Sequence, residues 1–566
     1  MSDRWTAQYD AGVPRHLDYP DFVLPDLLKR TIGRYPGLPA IRFYGRTIMY
    51  RELGIIVDRF AAALGRLGIR PGETLGLMLP NLPQTVIGLY GGLRAGLKVT
   101  PINPLHVETE VEQQVTDAGA STILVLDQFF PQVEPLLRRG QLKRVLVTAV
   151  SDFLPWHKRL LYPLTARGRA AVAVTPQAGV HRMRELLRST GDWTAPTVRP
   201  DEVALLQYTG GTTGVPKGVV LTHRNLIANA WQARHWMPSL REGTERFLAV
   251  LPFFHVYGLS ACQNLAISIG ASMTLLPRFA VGEVLDAIAR DRITVFPGIP
   301  AMYAAINQHH RADRTNLRSI RLCISGAGPL HPAVQERFES LTGAHLVEGY
   351  GLTEASPVTH VNPILGGTGE RRKKSIGLPL ADTDARIVDL ETGERELPIG
   401  EIGELIVRGP QVMQGYLNRD EETKQVLRHG WLHTGDMARM DADGYFYIED
   451  RKKDMIKSGG ENVYPREVEE VLYRHAKVKE AVVAGIPLGI RGELIKAYVV
   501  LKDGERATSA ELLEHCRQSL AKFKVPRKIE FRTELPKTLV GKVLRRVLVE
   551  EELTRMAARE NEEPAE

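Results

Sequence analysis

Along the first part of the chain the apolar positions change period repeatedly. Residues 23–35 and 50–67 space them three and four apart, and Arg59, Ala61–Ala63, Leu64 and Leu67 suit an amphipathic surface helix. Gly72-Glu73-Thr74 turns into the short apolar run Leu75–Leu79, which reads as a strand. Pro83–Ala95 reads as a helix, Lys98–Ile102 as a strand ending in Asn103-Pro104, Val107–Ala118 as a helix and Ser121–Leu126 as a strand. Strands alternating with helices predict a parallel α/β sheet. The pattern resumes with an apolar run at Val203–Tyr208, another at Val219–Leu221 and a helix over Arg224–Met237. Leu248–Pro252, Arg321–Ser325 and Leu346–Gly349 are further strands, each followed by a loop rich in Gly or aromatic residues. Ligands of open α/β sheets sit at the carboxyl ends of strands, so four strand-end loops are candidates to line one pocket.

The texture shifts at Gly377. Up to Tyr447 it shows short strands with Gly and Pro turns, such as Glu401–Arg408 and Gly444–Ile448, which predicts a small β subdomain. The charged run Glu449–Asp454 reads as a linker. Beyond it, helix 465–475, strands 480–486 and 495–501, helix 509–521 and strand 528–532 predict a compact α+β unit. The charged tail Arg559–Glu566 reads as disordered. The expected fold is therefore α/β: a large N-terminal domain over 1–450 that includes the β subdomain, and a small α+β domain over 451–566.

Bulk properties narrow the class. At 566 residues the chain exceeds one hydrophobic core. Its 43% apolar and 25% charged residues are those of a soluble globular protein. A net charge of +7 is mild at this length; it would attract anionic cofactors or lipid, or only aid solubility. Cys262, Cys323 and Cys516 lie far apart with no metal or redox spacing, and Met1–Asp21 has no apolar core of a secretory signal, so a reducing cytoplasm is expected. Val256–Pro277 holds no charge and is long enough to span a bilayer, but Ser260, Gln263, Asn264 and Ser268 favour a buried helix followed by a strand. No basic stripe interleaved with aromatics points to nucleic acid.

After Asp152 no acidic residue appears until Glu185. Within that stretch Phe153–Leu164 mixes aromatics, leucines and basic residues, a mixture that suits an anionic bilayer surface. An ordinary surface connection fits as well, because Pro155 and Pro163 prevent one long helix. Contact of residues 153–169 with an anionic membrane, and self-association into a homodimer, stay open.

The strongest chemical signal is Tyr208-Thr209-Gly210-Gly211-Thr212-Thr213-Gly214-Val215-Pro216-Lys217-Gly218. Glycines let backbone approach a ligand; threonine hydroxyls and a lysine ammonium suit phosphate oxygens. A Walker loop needs Gly-Lys-Ser/Thr opening a helix, whereas Pro216 and Gly218 flank Lys217 between two strand signals.

With Phe253–Gly258, Glu348-Gly349-Tyr350-Gly351-Leu352-Thr353-Glu354, His433-Thr434-Gly435-Asp436, Lys457–Pro465 and Pro536–Lys542, the loop forms an ordered set that resembles the adenylate-forming superfamily: acyl-CoA synthetases, luciferases and adenylation domains of peptide synthetases. The resemblance covers nearly the whole chain and is strongest to the acyl-CoA synthetase branch, above all to bacterial long-chain fatty acid CoA ligases. Such enzymes activate a carboxylic acid with ATP and Mg2+ to an acyl-adenylate, releasing pyrophosphate, and then transfer the acyl group to CoA. The resemblance implies that Thr209, Gly210, Gly211, Thr212, Thr213, Gly214 and Lys217 hold the departing phosphates. It places Thr209 and Glu354 beside magnesium, and Thr353 at the α-phosphate. Gly326, Ala327, Gly328, Tyr350 and Gly351 frame the adenine, while Asp436 and Arg451 take the ribose. Lys542 is implied as the catalytic lysine of the first step and Lys453 as the hinge of a mobile C-terminal domain. Lys457, Gly459, Gly460 and Glu461 would face CoA, and His255 and Tyr257 the acyl entrance.

Residues also allow plainer roles: a turn for Asp436, a helix start for Thr353-Glu354, a structural histidine at His255, a surface base at Lys542. The acid is less constrained than the nucleotide. An uncharged stretch at 256–276 could line a long apolar tunnel or be plain core. Alternatives are an aryl or medium-chain acid CoA ligase, a fatty acyl-AMP ligase, which carries an insertion not evident here, and a non-catalytic nucleotide-binding or membrane scaffold.

Overall fold

The computed structural model describes residues 2–562 except 165–171, 173, 175, 189–192, 210–215, 367–369, 459–460, 488–492 and 539–542. Two compact units arise. The larger comprises residues 1–384 and 407–432, the smaller residues 385–406 and 433–566.

Among the described residues the larger unit carries two sheets, of eight and nine strands. At the centre of the first, Thr74–Met78 pairs in parallel with Lys98–Pro101 on one side and Ala120–Leu126 on the other. All five residues of Thr74–Met78 are buried, as a parallel strand covered on both faces must be. Helix Pro83–Arg94 is buried at every position from Pro83 to Leu93, so it lies inside the layers; helix Tyr50–Arg66 packs on it through an apolar stripe that includes Leu53, Val57, Phe60 and Leu64. The second sheet runs parallel through Arg246–Ala249, Val295–Gly298, Leu322–Ser325 and His345–Gly351, then closes antiparallel with Val358–Val361. Its core is a cluster of Phe296, Tyr303 and Phe338 packed ring against ring.

The uncharged stretch Val256–Pro277 is buried except at Ser268 and Pro277, which are half-buried. Gly258–Asn264 winds as a π-helix, Leu265–Ser268 continues as α-helix, and Ser272–Leu275 is a strand of the nine-stranded sheet. No helix among the described residues is long and apolar enough to cross a membrane.

In the smaller unit, the sheet of short strands includes Gly403–Arg408, Trp431–Met440 and Phe446–Arg451. Strands Val478–Pro487, Glu493–Leu501 and Lys528–Phe531 form a second sheet, with helices Pro465–Tyr473 and Ser509–Ser519 supplying the rest of the core. Two sequence expectations change here. The first half of the supposed linker, Glu449 to Arg451, completes a strand, because its charges are neutralised in place rather than left to solvent. And the charged tail is helical to Glu562, as the end of helix Arg545–Glu562.

Candidate functional site

In the larger unit the glycine-rich stretch is the connection of a hairpin. Strands Val203–Thr209 and Lys217–Thr222 pair antiparallel, with Thr209 opposite Lys217 and Tyr208 opposite Gly218. Gly210, Gly211, Thr212, Thr213 and Gly214 lie outside the described residues. The Tyr208 hydroxyl donates to Asp117 at 2.6 Å, which fixes the strand end.

A third strand, the two-residue Gly415–Tyr416, adds to this hairpin opposite Val219 and Val220. Tyr416 then reaches two ways. Its ring stands 5.2 Å from the Lys217 ammonium, and its hydroxyl donates to Glu354 Oε1 at 2.8 Å. Burial pushes the Tyr416 hydroxyl above its usual range, and the Glu354 carboxylate adds to it, so it stays a donor at neutral pH. Lys217 also pairs with Glu422. Thus Tyr416 links Glu354, far away in sequence, to Lys217, which stands opposite Thr209 in the hairpin. Sequence reading missed Tyr416 because a two-residue strand in a polar stretch has no period.

Glu354 sits in the tight turn Thr353–Ala355 that follows strand His345–Gly351. Its backbone carbonyl accepts the Met413 N–H at 2.8 Å. Gly351 is required: a Cβ there would lie 2.1 Å from the Pro357 carbonyl oxygen. Tyr350, one residue earlier, packs edge-on to the buried His360 ring. The second Glu354 oxygen has no hydrogen-bond partner among the described residues. One carboxylate oxygen and a threonine hydroxyl are a fitting donor set for magnesium, which takes few protein ligands and fills its shell with phosphate and water. Among the described residues no group of three or more His, Cys, Asp or Glu could hold a metal alone.

Gly326, Ala327 and Gly328 follow strand Leu322–Ser325, with Ala327 at φ +65°. The Gly326 N–H donates to the Gly298 carbonyl. The Tyr257 ring covers Gly326, and its hydroxyl donates to the Ile324 carbonyl at 2.7 Å. His255 Nδ1 accepts the Tyr257 N–H at 3.2 Å. The hydroxyl of Tyr257 is therefore spent on the scaffold, leaving its ring as the part that can face a ligand. Behind these residues, Ser260 Oγ, both amide atoms of Gln263 and Asn264 Nδ2 are buried without a hydrogen-bond partner among the described residues.

In the smaller unit Asp436 and Arg451 face each other across the hairpin Trp431–Met440 and Phe446–Arg451, with Arg451 Nε 3.1 Å from Asp436 Oδ1. The loop before Asp436 is tied down: Thr434 Oγ1 donates to the Leu405 carbonyl at 2.7 Å and accepts the Asp436 N–H at 3.1 Å. Gly435 turns at φ +71°, which a side chain rarely adopts. Lys453 follows this hairpin directly. Lys457 lies on strand Ile456–Ser458, paired with Glu461–Val463, and its backbone N–H donates to Glu493. Gly459, Gly460 and Lys542 lie outside the described residues.

Comparisons with known proteins match this layout. Residues 28–417 fit the family of AMP-binding enzymes, and residues 467–542 the C-terminal domain of AMP-binding enzymes. A long-chain-fatty-acid–CoA ligase of Bacillus subtilis is 47% identical over 97% of this chain and 98% of its own. One from Yersinia pestis is 39% identical over 98% and 99%. Among solved structures, ATP-bound MatB from Rhodopseudomonas palustris superposes with a TM-score of 0.82 at 29% identity, covering 93% of this chain and 98% of that one.

Proposed function

Because the chain belongs to the family of AMP-binding enzymes, we infer that it is a long-chain fatty acid–CoA ligase. It joins a fatty acid to ATP, releasing pyrophosphate, and passes the acyl group from the adenylate to CoA. The observation that carries the nucleotide half is Tyr416, which draws the Lys217 hairpin and Glu354 to one place.

Adenylation brings two anions together, a carboxylate and the α-phosphate, so the protein must supply positive charge and hydrogen-bond donors. Lys217 and the hairpin threonines are assigned the leaving phosphates, and Thr353 the α-phosphate. Glu354 and Thr209 would hold magnesium, which when bound neutralises phosphate oxygens. Asp436 accepts the ribose hydroxyls, with Arg451 beside it. Lys542 is assigned the charge that develops as the acyl-phosphate bond forms.

Thioesterification needs the thiol where a first-step group stood. The hinge is assigned to Lys453 from the family motif, and its neighbours are tied on both sides: the Lys452 N–H donates to the Gly435 carbonyl and the Asp454 N–H to the Arg451 carbonyl, each at 2.9 Å. Residues 451–566 are then the part that turns, and 1–450 the part that stays. Lys457 and the loop to Glu461 are assigned to CoA.

The acid preference is tested by pyrophosphate release over a panel from acetate to palmitate plus cinnamates, each with and without CoA. Turnover highest with palmitate and dependent on CoA is expected. Activity confined to aryl acids would overturn the long-chain reading, and CoA-independent turnover would move it to an acyl-AMP ligase.

A cytoplasmic enzyme of lipids must meet its substrate at a surface. Trp156, Leu160, Leu161 and Leu164 stand exposed on and just after the short helix Trp156–Leu161, in a stretch with no acidic residue. That chemistry supports docking on an anionic bilayer, with Arg159 at the rim. Lys158 is already committed to the Tyr44 carbonyl at 2.8 Å. Arg167 and Arg169 lie outside the described residues. Cosedimentation with phosphatidylglycerol vesicles should fall severalfold in Trp156→Ser/Leu160→Ser; unchanged binding sinks the assignment.

A further inference from the structure

Glu404 is a carboxylate that the smaller unit buries, its side chain only 7% exposed, inside strand Gly403–Arg408. Its two oxygens are divided. Oε1 accepts the Gly435 N–H at 3.2 Å. Oε2 lies 3.1 Å from Lys452 Nζ and 3.6 Å from His433 Nδ1. Lys452 closes the ring by donating its backbone N–H to the Gly435 carbonyl at 2.9 Å. The peptide group on each side of Gly435 is thus held, one through Glu404 and one through Lys452.

The positions next in sequence are Asp436 and Arg451, which pair with each other at 3.1 Å. The lattice therefore has two rungs: Glu404–Gly435–Lys452 behind, and Asp436–Arg451 in front. A buried carboxylate is costly unless its partners repay the desolvation. Burial raises the Glu404 carboxyl, and His433 and Lys452 more than offset that, so it stays ionised. Lys452 does not need this partner for its own sake, since its side chain is 40% exposed and could be solvated. What the arrangement fixes is the orientation of the Gly435 peptide, hence the direction in which Asp436 presents its carboxylate.

We propose that Glu404 is a positioning residue for nucleotide binding: it sets Asp436 and Arg451 against the ribose and anchors Lys452, which precedes Lys453. The proposal rests on the assignment of Asp436 to the ribose. A carboxylate that takes both ribose hydroxyls loses one bond with 2′-deoxy-ATP, so the ratio of kcat/KM for ATP over 2′-deoxy-ATP reads the aim of Asp436 itself. Displacement of an aligned group by about 1 Å costs on the order of a hundredfold, so a measurable effect is expected from a tilt of the loop.

The experiment uses the full chain in ATP–pyrophosphate exchange with palmitate. Glu404→Gln should lower kcat/KM for ATP by about tenfold or more, and for 2′-deoxy-ATP by much less, so that the ratio collapses toward one. Lys452→Gln, which removes the ammonium paired with Glu404 Oε2 and keeps the Lys452 N–H bond to Gly435, should move the ratio the same way to a smaller extent and covers the case of a Glu404→Gln chain that does not fold. Equal losses for both nucleotides in the variants, or an unchanged ratio, overturn the proposal. Asp436→Asn separates the two levels of inference. If it leaves the ratio unchanged, the ribose assignment fails; if it collapses the ratio while Glu404→Gln does not, only the positioning role fails.

Discussion

The residues assigned to phosphate in the larger unit and those assigned to ribose in the smaller unit are built on opposite plans. In the larger, the Thr209–Lys217 hairpin, Glu354 and Tyr416 come from three separate stretches of sequence, and one neutral hydroxyl joins Tyr416 to Glu354. In the smaller, Glu404, Gly435, Asp436, Arg451 and Lys452 form a short-range ionic lattice across one sheet. The first plan takes its precision from antiparallel strand pairing, whose register sets Thr209 opposite Lys217 and Tyr416 opposite Val219. The second draws on charge pairing in a thin sheet, where opposite charges must be satisfied at each corner. A substitution should therefore act locally on the phosphate side and spread through the lattice on the ribose side.

The largest expected effect tests whether the smaller unit also supplies chemistry. Lys542→Ala should reduce ATP–pyrophosphate exchange by about a thousandfold or more, the scale of removing a preorganised charge from a transition state. Thioester formation from supplied acyl-adenylate should largely survive. Equal loss of both half-reactions would leave the smaller unit with a binding role only and erase that side of the contrast.

Acid should next distinguish the two units. His223 and His360 are buried in the larger unit, and His223 Nδ1 accepts the Leu24 N–H, which requires the neutral ring. Burial lowers His223 to about 4 and His360 to about 3. A histidine whose folded pKa is depressed gives its full stability above the unfolded value of about 6.5 and loses it as pH falls toward the folded value. At pH 5 the two cost the larger unit about 4 kcal/mol together. Asp450, in the smaller unit, has the opposite sign. Burial pushes its carboxyl up to about 6, against the pull of Arg545 and of the Arg466 and Arg451 N–H groups. Its folded state takes up a proton more readily than the unfolded chain, so lowering the pH from 7 to 5 adds about 1 kcal/mol. Hydrogen exchange at pH 7 and 5, corrected for intrinsic rates, should show protection lost in the larger unit while residues 433–458 hold. Parallel loss in both would break the comparison.

How far the sequence spoke follows the same division. The buried run Leu75–Leu79 and the helices over Pro83–Ala95 and 465–475 were legible to within a residue or two, because burial on one or both faces dictates the pattern. Asp436 and Arg451 were named from motif resemblance, and the structure sets them face to face. Tyr416 and Glu404 were not legible. Gly415–Tyr416 is too short for a period, and Glu404 lay in Glu401–Arg408, a stretch read only as a short strand with no position singled out. Charges in Glu449–Asp454 read as a linker, yet Asp450 is buried beneath the Arg466 N–H and the Arg545 guanidinium. Pattern rules treat charge as exposure, and a lattice of paired charges defeats that rule.

The smallest effect concerns the single hydroxyl on which the phosphate side depends. Tyr416→Phe keeps the ring near Lys217 and the backbone pairs of Gly415–Tyr416, and removes only the bond to Glu354. A hydrogen bond to a charged acceptor contributes about 1.5–3 kcal/mol, so kcat/KM for ATP with magnesium should fall by about tenfold, mainly through KM. Thermal stability should change little, because Glu354 is still held by the Met413 N–H through its own carbonyl. The loss should also be nearly independent of ionic strength, whereas that of Glu404→Gln should vary with salt, since one removes a neutral donor and the other a charge. If Tyr416→Phe leaves KM for ATP unchanged, Glu354 is aimed by backbone alone, and strand ends suffice on the phosphate side without the hydroxyl.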